Sequence, residues 1–220
     1  CNPYKFLIGV KKSLKKTGIS IIQTSQANML EKFQFDTIYH EHYSFFNLNS
    51  FNTLIKKCNL ILNKVLITDV HGDSFVFCFS KRNIFLNCFK TKPFFLGEVK
   101  IKKKFNILSF KHKLKEFRFK VIFLKRRLNN LINKYRRDNY KIVFVGAAAK
   151  AIVVMNYTNI KPDYIIDEAN LKIGKFIPKI NKKISSFEIV SQLPNKVLFI
   201  ISAWNFKSEL IRKIKIKYKK

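Results

Sequence analysis

Residues 141–167 read KIVFVGAAAKAIVVMNYTNIKPDYIID, and this stretch decides the fold class. An apolar strand leads into a turn of small residues that begins at Gly146, a helix follows, and Pro162 precedes a second apolar strand. Another buried strand is predicted at 197–202, and a basic helix is predicted from Lys207 onward. Because strands alternate with helices, we expect a parallel sheet in an α/β domain.

The turn at 146–150 has the composition of an anion-binding site. Small residues let backbone N–H groups approach a ligand, the start of a helix favours negative charge, and Lys150 adds a positive one. Asp167 follows the next strand, where an acid often meets a ribose hydroxyl. The G-x-G-x-x-G pattern is absent, with Phe144 and Ala151 standing where further glycines would help. Tight packing of the helix on the strand explains the alanines equally well.

A long basic helix is predicted upstream, over 105–137. Nine apolar residues alternate in spacing between three and four, which is typical of one face of a helix. These residues are Ile107, Phe110, Leu114, Phe117, Val121, Leu124, Leu128, Leu131 and Tyr135. Residues 100–137 contain 15 Lys or Arg and one acid, Glu116. We expect the stripe to pack against the protein and the charges to face solvent; binding to a membrane or nucleic acid is the alternative.

The front of the chain predicts a different set of elements. Residues 1–26 predict a helix and a short strand at 19–23, as the last helix and a late strand of an α/β sheet. Ser50 or Asn49 is the expected cap of a helix that carries Phe51 inward. Two strands are predicted within 60–82, and the second is expected to be buried on both faces.

Two histidines flank a carboxylate in the segment Tyr39-His40-Glu41-His42-Tyr43. Imidazole titrates near neutral pH and suits proton transfer, and Glu41 could orient a ring. A metal site is conceivable, although the spacing is not that of H-E-x-x-H, and a plain surface loop is the other alternative. A second candidate is the turn His71-Gly72-Asp73-Ser74, for which an ordinary hairpin turn is the simpler interpretation.

Composition sets limits on the function. The chain has 220 residues, a formal net charge of +31 and a hydrophobic content of 47%, which allows a real core and excludes intrinsic disorder. No run of about 18 apolar residues is present, so no transmembrane helix is expected. Only seven of the 44 basic residues are Arg, so we interpret the charge mainly as compositional drift and expect polyanion binding to be non-specific. The cysteines lack zinc-site spacing, which indicates reduced thiols in the cytoplasm; they are Cys1, Cys58, Cys78 and Cys88.

Four stretches in a fixed order resemble a known family. FDTIYHEHYSFF at 35–46 looks like the DTIYHEHxSYF segment of S-adenosylmethionine-dependent sugar C-methyltransferases, which methylate carbon 3 of nucleotide-linked 4-keto-deoxysugars. HGDS at 71–74 resembles the family's HGGS, GAAAK at 146–150 its GxGAxAKG, and AWNF at 203–206 its AWNF. The stretch from Ile166 to Phe176 is similar to VDxNxxKxGxF. Where the family usually has a glycine and an arginine, this chain has Asp73 and Glu168.

The resemblance implies a domain organisation. Such enzymes have a small zinc-binding domain, a methyl-donor-binding Rossmann domain and a Rossmann-like C-terminal domain that anchors the sugar nucleotide. Residues 1–47 are expected to be the tail of a truncated donor domain, and 48–220 the C-terminal domain with its preceding long helix. S-adenosylmethionine is the expected donor, although its main binding loop is absent from this chain, and zinc is expected only in the missing N-terminal domain.

The resemblance also implies roles for individual residues. His42 is expected to be the base that removes the proton beside the ketone, with Tyr39, His40 and Glu41 orienting substrate or base. We expect the sugar-nucleotide side of the site to be lined by Gly146, Lys150, Asp167 and His71. The expected partner is a nucleotide-linked keto-sugar, with no metal in this chain and no specific nucleic acid or membrane. The alternatives are a non-catalytic sugar-nucleotide-binding remnant and a basic polyanion-binding protein.

Overall fold

The computed structural model describes residues 2–25, 27–68, 73–84, 97–99, 106–203 and 206–218. The chain forms two compact units. The front unit comprises Cys1–Lys32 and His40–Lys113, and the rear unit comprises Phe33–Tyr39 and Leu114–Lys220. The strand at Ile19–Ser25 pairs with the strand at Ser74–Ser80, and both lie in the front unit.

The front unit is built on an antiparallel sheet. Its elements are α1 (Pro3–Ser13), β1 (Ile19–Ser25), α2 (Leu48–Lys57), β2 (Ile61–Thr68), β3 (Ser74–Ser80) and β4 (Gly97–Glu98). The strand order is β1-β3-β2-β4, so the strands on either side of β3 are far apart in sequence. The short strand predicted after the first helix therefore pairs antiparallel with a strand some fifty residues later.

Local sequence explains how the helices of this unit begin. Asn2 accepts hydrogen bonds from the N–H groups of Tyr4 and Lys5 and thereby caps α1, with Pro3 in the first helical position. At α2 the expected cap was wrong. Asn47 is the N-cap, and Ser50 is the third helical residue of a reciprocal capping box.

Aromatic packing forms the core of the front unit. All seven residues of β3 are buried, which confirms the expectation for the second strand. The ring of Phe51 on α2 stacks on Phe77 of β3, with centroids 3.8 Å apart and an interplanar angle of 16°. Leu7 of α1 and Ile55 of α2 join the same cluster. The helices therefore cover one face of the sheet through large apolar side chains.

The rear unit is built on a mainly parallel sheet, as predicted. Its elements are the C-terminal part of α3 (Ile107–Arg137), then β5 (Lys141–Val145), α4 (Ala149–Thr158), β6 (Tyr164–Ile166), β7 (Phe176–Ile177), β8 (Lys182–Ser185), β9 (Val197–Ile201) and α5 (Lys207–Lys217). The strand order is β7-β8-β6-β5-β9, with only the edge strand β7 antiparallel. The mixture of strands and helices confirms an α/β fold. The carboxyl ends of β5, β6 and β9 lie side by side.

The long helix exists as predicted, and the predicted stripe is confirmed in part, since Leu128 and Tyr135 pack against the rear core. Val121 is buried, whereas Leu114, Leu124 and Leu131 of the stripe are exposed. Ile132, outside the stripe, is almost completely buried in the rear core. A stripe with a 3.5-residue period drifts around a straight helix of 3.6 residues per turn, so the buried position moves from Leu131 to the next residue.

None of the helices within the described ranges is both long enough and apolar enough to cross a bilayer.

Candidate functional site

The glycine turn lies at the carboxyl edge of the rear sheet, between β5 and α4. Gly146 adopts a φ of 102°, and its N–H donates to the carbonyl of Ile166 at 2.7 Å. On the other side, the hydroxyl of Ser202 donates to the carbonyls of Val145 at 3.0 Å and Gly146 at 2.7 Å. Neighbouring strands therefore hold the turn from both sides.

Asp167 follows β6 and points into this turn. Its Oδ2 accepts from the N–H of Ala147 at 2.7 Å and from Nζ of Lys172 at 3.2 Å, and its Oδ1 accepts from the N–H of Ala169 at 2.8 Å. Burial by itself would raise the pKa of Asp167. The hydrogen bonds from Ala169, Ala147 and Lys172 outweigh that effect and lower the pKa below its usual value. The carboxylate is thus kept ionised.

Lys150 lies in the first turn of α4 and is half-buried. Burial lowers the pKa of its ammonium group, and the nearby carboxylate of Asp36 acts in the opposite direction. The N-cap residue, Ala148, has a side chain that cannot accept a hydrogen bond from the helix. The start of α4 therefore combines a helix dipole with a cationic side chain, the combination that suits an anionic group.

The segment that precedes the histidines packs against the same helix. Residues Phe35–Thr37 form a short 3₁₀ turn in the rear unit and contact α4. The ring of Phe35 is buried, and its centroid lies 5.2 Å from that of Tyr157. Thr37 is also buried, and its hydroxyl donates to the carbonyl of Gln34 at 2.7 Å. Tyr39 belongs to this unit and is half-buried.

The other predicted catalytic residues belong to the front unit. His40 and Glu41 are strongly exposed, with 84% and 70% of their side-chain surface accessible, and Nε2 of His40 lies 4.0 Å from Oε1 of Glu41. His42 is half-buried, and its ring meets the ring of Phe45 edge-on at 5.9 Å between centroids. Within the described ranges, no three His, Cys, Asp or Glu side chains form a group that could hold a metal ion.

Several residues singled out in the sequence lie outside the described residues. His71 and Gly72 of the HGDS turn are among them, as are Trp204 and Asn205 of the AWNF stretch. Asp73, within the described part, has a φ of 74° and forms an ion pair with Lys32. Glycine adopts this left-handed conformation without the strain that a side chain brings.

Two residues that sequence analysis did not assign to the site help to build it. Ser202 follows β9, whose five residues are half-buried and not fully buried as predicted, and the hydroxyl directly after this apolar strand was the available signal. Lys213 on α5 holds the carboxylate of Glu168 with contacts of 2.8 and 2.9 Å. The acid that replaces the family's arginine is therefore paired with a lysine, which offsets its repulsion of an anion.

Comparison with known proteins identifies the family. Residues 99–220 match the C-methyltransferase C-terminal domain. The chain belongs to the C-methyltransferase family. The matched range includes Gly146, Lys150 and Asp167, so the C-methyltransferase domain contains the whole of the glycine turn.

The similarity of this C-methyltransferase family member to one relative also covers the front unit. The C-methyltransferase NovU of Streptomyces niveus is 25% identical over 213 residues, which are 94% of this chain and 49% of the relative. The chain thus spans about half the length of this curated relative.

Proposed function

We propose that the chain is the C-terminal part of an S-adenosylmethionine-dependent C-methyltransferase that acts on a nucleotide-linked keto-deoxysugar. Family membership supports the reaction class. The observation that carries the substrate class is the glycine turn at the carboxyl edge of the parallel sheet, with Lys150 in the first turn of the following helix. A diphosphate is the anion that such a turn suits.

The order of the strands supports a Rossmann-like rear unit. In chain order, the parallel strands β5, β6, β8 and β9 are the first to fourth, and in space they run third, second, first, fourth. This matches the first four strands of the doubly wound dinucleotide-binding sheet, whose order is 3-2-1-4-5-6. Ligands of such sheets bind at the carboxyl ends where the order reverses, which here is the position between β5 and β9. Gly146 and Ala203 occupy that position.

The chemistry assigned to this chain is proton removal. The imidazole of His42 takes the proton from the carbon beside the ketone, the C–H electron pair moves into the enolate, and the oxygen gains the negative charge. Tyr39, His40 and Glu41 orient the substrate or the base. The half-buried position of the His42 ring against Phe45 supports its choice over the exposed His40.

The described residues of the front unit do not fit the methyl donor on their own. A donor loop needs glycine between a strand and a helix, but Gly9 lies inside α1, Gly18 precedes β1 and Gly97 lies in β4. No residue of this unit is therefore assigned to S-adenosylmethionine.

Proton removal can be tested without the donor. The full chain is incubated in D2O with nucleotide-linked keto-deoxysugars, and deuterium incorporation beside the ketone is followed by NMR. We expect exchange, and loss of about 10²–10⁴-fold in its rate in His42→Ala. His112→Ala, at an exposed histidine of α3, is the matched control and should exchange normally. Full exchange in His42→Ala would remove the base assignment. Addition of the N-terminal half of the relative then tests methyl transfer.

One observation favours a second candidate, a sugar-nucleotide-binding remnant without catalysis. Asp73 stands in a left-handed conformation where the resembling family has glycine, and its charge is taken up by Lys32. Titration calorimetry with the same sugar nucleotides separates the two functions. Binding without deuterium exchange, and without methyl transfer after complementation, supports the remnant.

A further inference from the structure

We propose that Asp167 is a positioning residue that fixes the glycine turn for anion binding, and not a direct ligand of a ribose hydroxyl. The inference deepens the proposed function, on which its ligand-binding arm rests. It concerns the two oxygens of one carboxylate and the backbone groups on either side of it.

Both carboxylate oxygens are engaged within the protein. Oδ2 bridges the N–H of Ala147 and Nζ of Lys172, at 2.7 and 3.2 Å, while Oδ1 holds the N–H of Ala169 at 2.8 Å. Only 11% of the Asp167 side-chain surface is accessible. A carboxylate has about four acceptor positions, and three of them are used here. The remaining position belongs to a side chain that is mostly covered, so the protein's own N–H and ammonium donors, and not a ribose hydroxyl, are its main partners.

The same bonds define where the turn lies. The Asp167 carboxylate ties Ala147 to the end of β6, and the N–H of Gly146 is bonded to the carbonyl of Ile166. From the opposite side, Ser202 binds the carbonyl of Gly146 at 2.7 Å. The start of α4 and Lys150 follow within four residues, so their positions depend on this arrangement.

A second aspartate forms an equivalent hydrogen bond to the backbone at the other end of the same two strands. Oδ2 of Asp163, which precedes β6, accepts from the N–H of Ile142 at 2.8 Å. Lys141 lies 3.5 Å from its other oxygen. Asp163 and Asp167 thus perform the same backbone role at the amino and carboxyl edges of the β5–β6 pair, and only Asp167 adjoins the glycine turn.

Ligand-binding measurements distinguish a positioning role of Asp167 from direct contact between Asp167 and a ribose hydroxyl. Asp167→Asn and Asp163→Asn are compared with the natural chain for binding of UDP and of inorganic pyrophosphate, which has no ribose. Positioning predicts that Asp167→Asn weakens both ligands by a similar factor, about tenfold, because Asn retains only one acceptor. Asp163→Asn should leave both affinities unchanged.

Other results would overturn the proposal. Weaker binding of UDP alone would show direct ribose contact, and tighter binding of both ligands would show that the carboxylate acts only by repulsion. Equal weakening by Asp163→Asn would show a general loss of stability.

Amide hydrogen exchange gives an answer that does not depend on any ligand. In Asp167→Ala, the amides of Ala147 and Ala169 should exchange about ten to a hundred times faster, since each loses its carboxylate acceptor. The amide of Ile142, held by Asp163, should be unchanged. Unchanged exchange at Ala147 would refute the positioning role. If neither ligand binds the natural chain, the proposed function fails while this measurement still decides the role of Asp167.

Discussion

Ala203 leaves no space for a side chain on Gly146. A Cβ atom at Gly146 would lie 2.5 Å from Cβ of Ala203 and 3.1 Å from its backbone nitrogen. The φ of 102° at Gly146 is unfavourable for any residue with a side chain. The turn thus requires glycine for two independent reasons, backbone conformation and the close approach of the chain after β9.

Three substitutions of glycine by alanine measure the effects of backbone strain and of the steric clash separately. Gly146→Ala combines strain with the clash and should lower the free energy of unfolding by about 2–4 kcal/mol. Gly174 has a φ of 85° but its nearest neighbour would be 4.0 Å away, so Gly174→Ala should cost about 1–2 kcal/mol. Gly9 lies in α1 with nothing within 4 Å, and Gly9→Ala should stabilise by about 0.5–1 kcal/mol. Urea unfolding of the full chain measures all three. Equal losses at Gly146 and Gly174 would show that the contact with Ala203 relaxes freely.

The capping box of α2 provides a second test. Asn47 Oδ1 accepts from the N–H of Ser50 at 2.7 Å, and the hydroxyl of Ser50 accepts from the N–H of Asn47 at 3.0 Å. Asn47→Ala should lower the free energy of unfolding by about 1 kcal/mol. Asn49→Ala is the control, since Asn49 lies inside the helix and Ala has the higher helix propensity. A larger loss at Asn49 than at Asn47 would place the cap elsewhere.

The stacked pair Phe51 and Phe77 tests the core of the front unit. Phe51→Ala removes a buried ring from between a helix and the sheet and should cost about 3–5 kcal/mol. Phe119→Ala makes the same chemical change at a side chain that is 71% exposed, and a change within about 0.5 kcal/mol is expected. The midpoint of chemical unfolding, followed by circular dichroism, compares them. Similar losses for the two variants would contradict the packing around Phe51.

The carboxylate of Asp167 should make stability depend on acid pH. Its pKa is lowered in the folded state, so its contribution is present above the unfolded value of about 3.9 and is lost as the pH falls through the folded value. Lys172 is the charged group that faces it. At pH 7, Asp167→Asn should be less stable by about 1.5–3 kcal/mol, and the difference should shrink below about pH 4. Unfolding curves that stay parallel from pH 7 to pH 3 would rule out this linkage.

Residue periodicity was sufficient for most of the secondary structure. The sequence predicts β5 and β9 from their apolar runs and β3 as the second strand within 60–82, because each pattern favours one local conformation. The cap of α2 was not predicted correctly. Ser, Asn and Asp residues all serve as caps, and three such residues lie within positions 47–50. The extended backbone of Asn47 and its reciprocal hydrogen bonds with Ser50 distinguish it.

For the candidate site, too, the sequence predicts the types of residue but not their surroundings. The residue types of the glycine turn and of the histidine segment pointed to anion binding and proton transfer without any coordinates. Their environments did not follow from the sequence, since His40 and Glu41 are solvent-exposed while Phe35 and Thr37 of the same segment are buried against α4. Exposure depends on contacts between residues over a hundred positions apart, which no local pattern encodes.

Short-range chemistry along the chain thus indicated which segments are strands and helices, which turn of the rear unit has the composition of an anion-binding site, and which family the motifs resemble. The folded chain alone decided that Asp167 serves the backbone of Ala147, that Ala203 forbids a side chain at Gly146, and that Ile132, not Leu131, faces the core. The physical reason is that conformational preference acts between neighbours, whereas hydrogen-bond partners and steric limits are set by strands that meet only after the sheet has formed.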